Sequence, residues 1–212
     1  MLEENEKDIP TFGDLNFVFS HITTSGNGCE LISRHGLMDL RKAYSCEDSE
    51  VRRFLESHDV SIDIDERILR YKDKSHDISF ERCGRTPSHG TMEYMAWSVG
   101  RKIHFDFTVC GFLSIDRRSP YGGNVHLAPE ILQDIGNLLK THLAEDWVQK
   151  TRAYEVVARA KGVDIVIDAE GSDRDQMIAY ILNAYHEACG YGLENILLLK
   201  DGIQIPTGDI ID

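Results

Sequence analysis

Residues 19–40, FSHITTSGNGCELISRHGLMDL, decide how this sequence is interpreted. They overlap a short segment, residues 15–23, whose aromatic and β-branched content predicts a strand that ends with His21 and Thr23 and is followed at once by Thr24. The glycines that follow predict a turn over residues 25–28. Apolar residues from position 29 to about position 44 suit an amphipathic helix, broken or bent near Gly36.

The rest of the chain mixes strand-like and helical patterns without a strict β-α-β order, which predicts an α+β protein. Residues 91–99 fit a helix and a strand equally well. In a strand predicted over residues 103–115, Gly111 indicates a bulge or a bend. The other predicted strands cover residues 61–81, 154–158, 163–167 and 194–200, with a short last strand from Gly202, and the other predicted helices cover residues 48–58, 129–143 and 173–189.

Length and composition suit a single domain. With 212 residues, of which 42% are apolar, the chain can bury a full core. We expect a flexible N-terminal arm over residues 1–13 and one domain over residues 14–212. No apolar run approaches a membrane span, and residues 1–10 do not have the basic and apolar regions of a secretory signal, so we predict a cytoplasmic protein that does not bind membranes.

The cysteines and the charge narrow the function classes. Five widely spaced cysteines without a C-x-x-C pair favour reduced, buried thiols over disulfides or a zinc knuckle. A net charge of −13 does not favour nucleic acid, whose binding depends on neutralised phosphates. The acidic balance fits a basic protein partner, although it also serves plain solubility.

The first predicted strand ends with a histidine, an isoleucine and a threonine, and Ile32 and a Gly-Leu pair follow one helix later. This pattern resembles the start of the NAD pocket in ADP-ribosyltransferases. The resemblance is to the poly(ADP-ribose) polymerase-like branch and to DNA-targeting bacterial toxins. It implies that His21 binds the adenosine ribose, that Thr23 seats the nicotinamide ribose, and that the backbone of Ile22 grips the carboxamide. By itself the motif also fits a histidine that caps a turn.

The C-terminal segment ENILLLKDGIQIPTGDII resembles the closing strand of the same family. There, a glutamate at the start of an apolar strand stabilises the oxocarbenium character that develops as the nicotinamide–ribose bond breaks. The resemblance therefore implies split mixed or antiparallel sheets flanked by helices, NAD as a substrate, and Glu194 as the catalytic residue. His21 and Glu194 are then expected to face one cleft. An acid at a strand entrance that faces water is the common alternative.

No motif in the middle of the chain identifies the residue that would stack against the nicotinamide. Family members often place a tyrosine against the nicotinamide, and Tyr71, Tyr94 and Tyr121 are all candidates here. We therefore predict an NAD-dependent ADP-ribosyltransferase with an unidentified macromolecular acceptor. The alternative is a non-enzymatic acidic binding protein, on the same or another α+β fold, that engages a basic partner.

Two other motifs carry less weight. His104 and Asp106 form an H-x-D pair on a predicted strand, as in iron-dependent oxygenases, but no Arg-x-Ser that would hold the keto-acid follows. The G-x-G at residues 26–28 has no third glycine and predicts only a turn. No metal site is predicted.

Overall fold

A computed structural model describes residues 11–79, 86–114, 126–167, 172–190 and 195–211. These residues form an α+β fold of two antiparallel sheets with flanking helices, as the sequence predicts at that level. The strands are β1 Asn16–Ser25, β2 Val60–Asp63, β3 Ile68–Tyr71, β4 Lys74–Asp77, β5 Cys110–Ser114, β6 Arg152–Lys161 and β7 Asn195–Leu198. The helices are α1 Glu30–His35, α2 Leu40–Ser45, α3 Glu50–Glu56, α4 Met92–His104, α5 Glu130–Leu139, α6 Leu143–Val148 and α7 Asp173–Ala188.

The larger sheet has the strand order β6-β1-β5-β7, and every neighbouring pair is antiparallel. Its longest ladder joins β1 to β6 over ten residue pairs, from Asn16 opposite Lys161 to Ser25 opposite Arg152. On β5, a side chain at Gly111 would overlap the buried ring of Phe19, so a glycine lets the two strands approach closely. The irregularity of β5 falls between Phe112 and Ser114 rather than at Gly111.

The smaller sheet is a meander of β2, β3 and β4. Arg67 and Lys72, just before β3 and just after it, take left-handed backbone conformations with φ of 54° each. Such conformations suit the tight connections of hairpins.

Apolar side chains form two buried clusters. The first lies between the smaller sheet and α2 to α6, and includes Leu55, Leu69, Ile103, Leu132 and Trp147. The second covers one face of the larger sheet, where Phe19 and Ala158 meet the C-terminal segment and residues packed from α7. Phe12 belongs to the second cluster and is buried, although it falls inside the predicted arm.

Trp147 links the first cluster to the larger sheet. Its indole belongs to the first cluster and packs edge-on against Phe54, with 5.0 Å between ring centroids. Its Nε1–H donates to the hydroxyl oxygen of Thr24 on β1 at 2.8 Å, in a buried environment. The helical core is thus fastened to the central strand of the larger sheet by a hydrogen bond that water does not reach.

Several predicted helices and strands begin or end at other residues in the structure. The predicted strand over residues 103–115 was wrong in its first part: Ile103 and His104 end α4, and β5 begins at Cys110. Residues 92–99 belong to that helix, and the Thr91 hydroxyl caps its N-terminus by accepting from the Tyr94 N–H at 3.1 Å. The helix predicted over residues 29–44 is divided into α1 and α2 around Gly36, whose φ is 80°.

The C-terminal half shows two further differences. Leu143 begins a separate helix, α6, because α5 ends at Leu139 and the next residue, Lys140, takes a left-handed conformation with φ of 57°. The two strands predicted over residues 154–167 are one strand, β6, followed by a 3-10 turn at Gly162–Asp164.

In the described part of the chain, no helix has the length and apolar character needed to cross a membrane.

The Trp147–Thr24 hydrogen bond is expected to show energetic coupling. Trp147→Phe leaves the Thr24 hydroxyl without its donor and Thr24→Val leaves the indole N–H unsatisfied, so each should lower the free energy of unfolding by about 1–3 kcal/mol. The double variant should lose less than the sum, with a coupling energy of about 0.5–3 kcal/mol. Urea unfolding of the four proteins measures this cycle, and strictly additive losses would contradict the coupling.

Candidate functional site

His21 lies in the second half of β1, directly opposite Val156 of β6. Its Nδ1–H donates to the carbonyl oxygen of Cys110 at 2.7 Å. A carbonyl oxygen can only accept, so the proton resides on Nδ1 and Nε2 is left as an acceptor. Burial lowers the pKa of the imidazole, partly opposed by the bond to Cys110. The ring is therefore neutral near pH 7 and can accept a hydroxyl hydrogen through Nε2.

Ile22 and Thr23 continue the strand on opposite faces. Thr23 lies opposite Tyr154 and shares its face with His21, whereas Ile22 is buried on the other face. The ladder between β1 and β5 is made at Ser20 and Phe112, before His21 is reached. Among the described residues, the side of β1 that faces β5 makes no ladder pair at Ile22 or Thr23.

The turn after β1 is fixed by Glu50, the first residue of α3. Its carboxylate accepts from the Ser25 hydroxyl and from the Gly26 N–H, each at 2.7 Å. The Ser25 oxygen in turn accepts from the N–H of Cys29 at 3.0 Å, which holds the start of α1. The Gly26 N–H already donates to Glu50, so this turn does not resemble a phosphate-binding loop. The incomplete G-x-G pattern predicts the same, a simple turn.

A cavity of about 340 Å³ lies between α1, β6 and the C-terminal segment. Tyr154 and Val156 line it, and these residues stand directly opposite Thr23 and His21 on the neighbouring strand. Paired residues on adjacent strands share a face with their Cβ atoms about 4.5–5.5 Å apart. His21 and Thr23 are not among the residues that line the cavity, and they are related to it only through these strand partners. Its other lining residues are Gly28, Cys29, Ile32, Ser33, Glu155, Thr207, Ile210 and Ile211.

The C-terminal segment closes one side of this cavity. Leu37 and Ile205 exchange backbone hydrogen bonds at 2.9 Å, and the Ile211 N–H donates to the carbonyl of Val157 at 2.7 Å. Gly36 is required where this segment crosses, because a side chain there would overlap the carbonyl of Ile205. Cys29 faces the cavity as a thiol whose pKa is raised, chiefly by burial, so it is not an activated nucleophile.

Glu194, the predicted catalytic residue, lies outside the described residues, and so does Tyr121. Asn195, the next residue along the chain, begins β7. β7 and β1 belong to the same sheet but are separated by β5, so they are not direct neighbours.

The described tyrosines fall in three places. Tyr71 belongs to the smaller sheet, where the Lys72 ammonium lies 4.9 Å from its ring centroid. Tyr94 lies on α4 between the rings of His89 and Trp97. Neither lines the cavity, whereas Tyr154 does. No sequence pattern indicated Tyr154, because its partner Thr23 is distant in the chain and is brought close only by the β1–β6 ladder.

Within the described residues, the H-x-D pair is not completed to an iron site by a third ligand. His104 ends α4 rather than lying on a strand, and burial together with the charges of Arg67 and Arg41 lowers its pKa. Asp106 accepts from the Thr108 hydroxyl at 2.9 Å. Within the described residues, no cluster of three potential metal ligands includes either residue.

Comparison with known proteins gives no relative. No protein-family model matches this chain, and neither does any curated protein or solved structure.

Acidification is expected to destabilise the protein through His21 and His104. Burial lowers both pKa values from the ordinary 6.5, so below pH 6.5 the unfolded chain binds more protons than the folded one. The free energy of unfolding then decreases as the pH falls, by at most about 1.4 kcal/mol per pH unit for each histidine. Urea unfolding at about pH 7.5 and about pH 5.5 measures the loss.

His21→Asn is the informative variant, because an asparagine amide can still donate to Cys110 but does not titrate in this range. Its loss of stability between the two pH values should be smaller than that of the wild type. An identical loss would show that His21 does not contribute to the pH dependence.

Proposed function

We propose that this chain is an NAD-dependent ADP-ribosyltransferase that transfers ADP-ribose to a macromolecular acceptor and releases nicotinamide. The observation that carries the proposal is the state of His21. Its Nδ1–H is held by Cys110, its Nε2 is an acceptor, and its strand partner lines a cavity beneath α1. These features agree with the role that the family resemblance implies for the histidine of the first strand.

In the proposed complex, Nε2 of His21 accepts a hydrogen bond from the adenosine ribose. Thr23, on the same face of the sheet, supports the nicotinamide ribose. The backbone of Ile22, beyond the Ser20–Phe112 pair that joins β1 to β5, would grip the carboxamide, as the family resemblance implies. The volume of about 340 Å³ is at the lower end of the range for small-molecule pockets, so NAD would extend beyond this cavity along β1.

Glu194 supplies the electrostatic part of the proposed reaction. Cleavage of the nicotinamide–ribose bond leaves positive charge on the ribose, and a preorganised carboxylate lowers the barrier by stabilising that charge. The electron pair of the broken bond leaves with neutral nicotinamide, a nucleophilic atom of the acceptor forms the new bond to the anomeric carbon, and the proton of that nucleophile is released. With a net charge of −13, the surface suits a protein acceptor with basic side chains better than a nucleic acid.

Binding of NAD by the wild-type protein should raise its melting temperature, since NAD stabilises the folded state by mass action. His21→Ala should weaken NAD binding about tenfold, the effect of about 1.4 kcal/mol from one hydrogen bond. Thermal melting over an NAD titration measures both effects. His76→Ala, on β4 of the smaller sheet, is the matched control and should bind NAD like the wild type.

No shift of the wild-type melting temperature at millimolar NAD would contradict the proposal. Together with binding to a basic partner that weakens as salt is added, that result would favour the acidic binding protein, because surface charges are screened over roughly 8 Å at physiological ionic strength.

Glu194→Gln should reduce nicotinamide release by about 10²–10³-fold, because it removes the charge that acts in the transition state. NAD binding and the melting temperature should change little. Glu66→Gln, at an exposed position between β2 and β3, is the control and should keep full turnover. Nicotinamide release is followed by chromatography, and unchanged release from the Glu194 variant would assign the catalytic role to another residue.

A further inference from the structure

A second cluster of reactive side chains lies where α1, α2 and α3 come together. His35 is the last residue of α1, Cys46 follows the end of α2, and Asp48 precedes the residue that caps α3. One ligating atom from each of these three side chains lies within 4.8 Å of the other two. The Nε2 atom of His35 and Oδ2 of Asp48 are 3.3 Å apart.

We propose that His35, Cys46 and Asp48 bind a zinc ion. Imidazole, thiolate and carboxylate are the ligands that Zn²⁺ takes in proteins, at about 2.0–2.3 Å from the metal. In a tetrahedral site with such bonds, neighbouring ligand atoms are roughly 3.3–3.8 Å apart. The present separations, which reach at most 4.8 Å, would have to shorten by up to about 1.5 Å through changes of side-chain rotamer. Three protein ligands leave the fourth position to water.

The backbone around the cluster is already ordered. The Ser49 hydroxyl accepts from the Arg52 N–H at 3.3 Å and caps α3, and the Asp39 carboxylate accepts from the Lys42 N–H at 2.9 Å and caps α2. The Cys46 thiol lies at the end of α2, where its sulfur donates to the carbonyl of Lys42 at 3.3 Å. A metal would therefore select rotamers on fixed helix ends, which reduces the entropy lost on binding.

Arg34 is the competitor for this site. Its guanidinium lies 3.3 Å from Oδ2 of Asp48, and 3.3 Å from the carboxylate of Glu30. Glu30 therefore offers Arg34 another partner when a metal takes Asp48. Surface ion pairs of this kind contribute little stability, so the loss of this one is a small obstacle to a divalent cation. Arg34→Ala should strengthen metal binding.

A zinc ion here would join the end of α1 to α2 and α3. Because α1 also contributes Ile32 and Ser33 to the cavity, the metal would hold that wall of the cavity in place. The zinc proposal does not depend on the proposed transferase activity, since it concerns a separate set of side chains.

Cobalt is the probe that reports the ligands. The full chain, without a polyhistidine tag, is reduced, freed of metal by a chelator and titrated with Co²⁺, which substitutes for zinc and gives a thiolate-to-cobalt absorption band only when a cysteine ligates. We expect one equivalent of Co²⁺ to give this band and Zn²⁺ to remove it. Cys46→Ser should abolish the band, and His35→Ala and Asp48→Asn should each weaken binding at least tenfold.

Cys29→Ser and Cys110→Ser are the matched controls and should keep the band. Melting with and without Zn²⁺ is the second measurement: zinc should raise the melting temperature of the wild type but not that of Cys46→Ser, and both proteins should have the same helical circular dichroism. A wild type without the thiolate band, or a band that survives in Cys46→Ser, would overturn the proposal.

Discussion

The buried hydrogen bond from the Trp147 indole to the Thr24 hydroxyl is the interaction on which the arrangement of this protein depends. An indole N–H inside an apolar cluster must find an acceptor, because an unsatisfied buried donor costs about 1–3 kcal/mol. The acceptor belongs to β1, the strand that carries the candidate site. The helical core therefore fixes one face of β1 through Thr24, while His21 and Thr23 stand on the opposite face.

The same strand is fixed at its end by the carboxylate of Glu50, which accepts from the Ser25 hydroxyl and the Gly26 N–H. Glu50 begins α3, so the turn, the start of α1 and the first helical core form one connected unit. A preorganised site needs this kind of support, because positions held by packed helices are more precise than those held by loops alone. The site strand, the cavity wall and the proposed zinc ligands all border this unit.

The cavity lies at one end of α1 and the proposed zinc site lies at the other. Cys29 and Ile32 line the cavity near the N-terminal end, and His35 reaches Cys46 and Asp48 at the C-terminal end. The helix has only six residues and would be marginal in isolation. Its position therefore depends on contacts at both ends, and a ligand or metal at either end would stabilise it.

The sequence by itself determined the α+β class, β1 with His21 and Thr23, and the turn after it, because each of these follows from local alternation, β-branched content and glycine. Tertiary structure decided the rest. Ile103 and His104 alternate with Phe105 as a strand would, yet the cap at Thr91 and burial against the first cluster extend α4 over them. Tyr154 became a cavity residue only through strand pairing, and the convergence of His35, Cys46 and Asp48 depends on how three short helices pack. Periodicity reports which face of an element is buried, but it does not report which distant element covers that face.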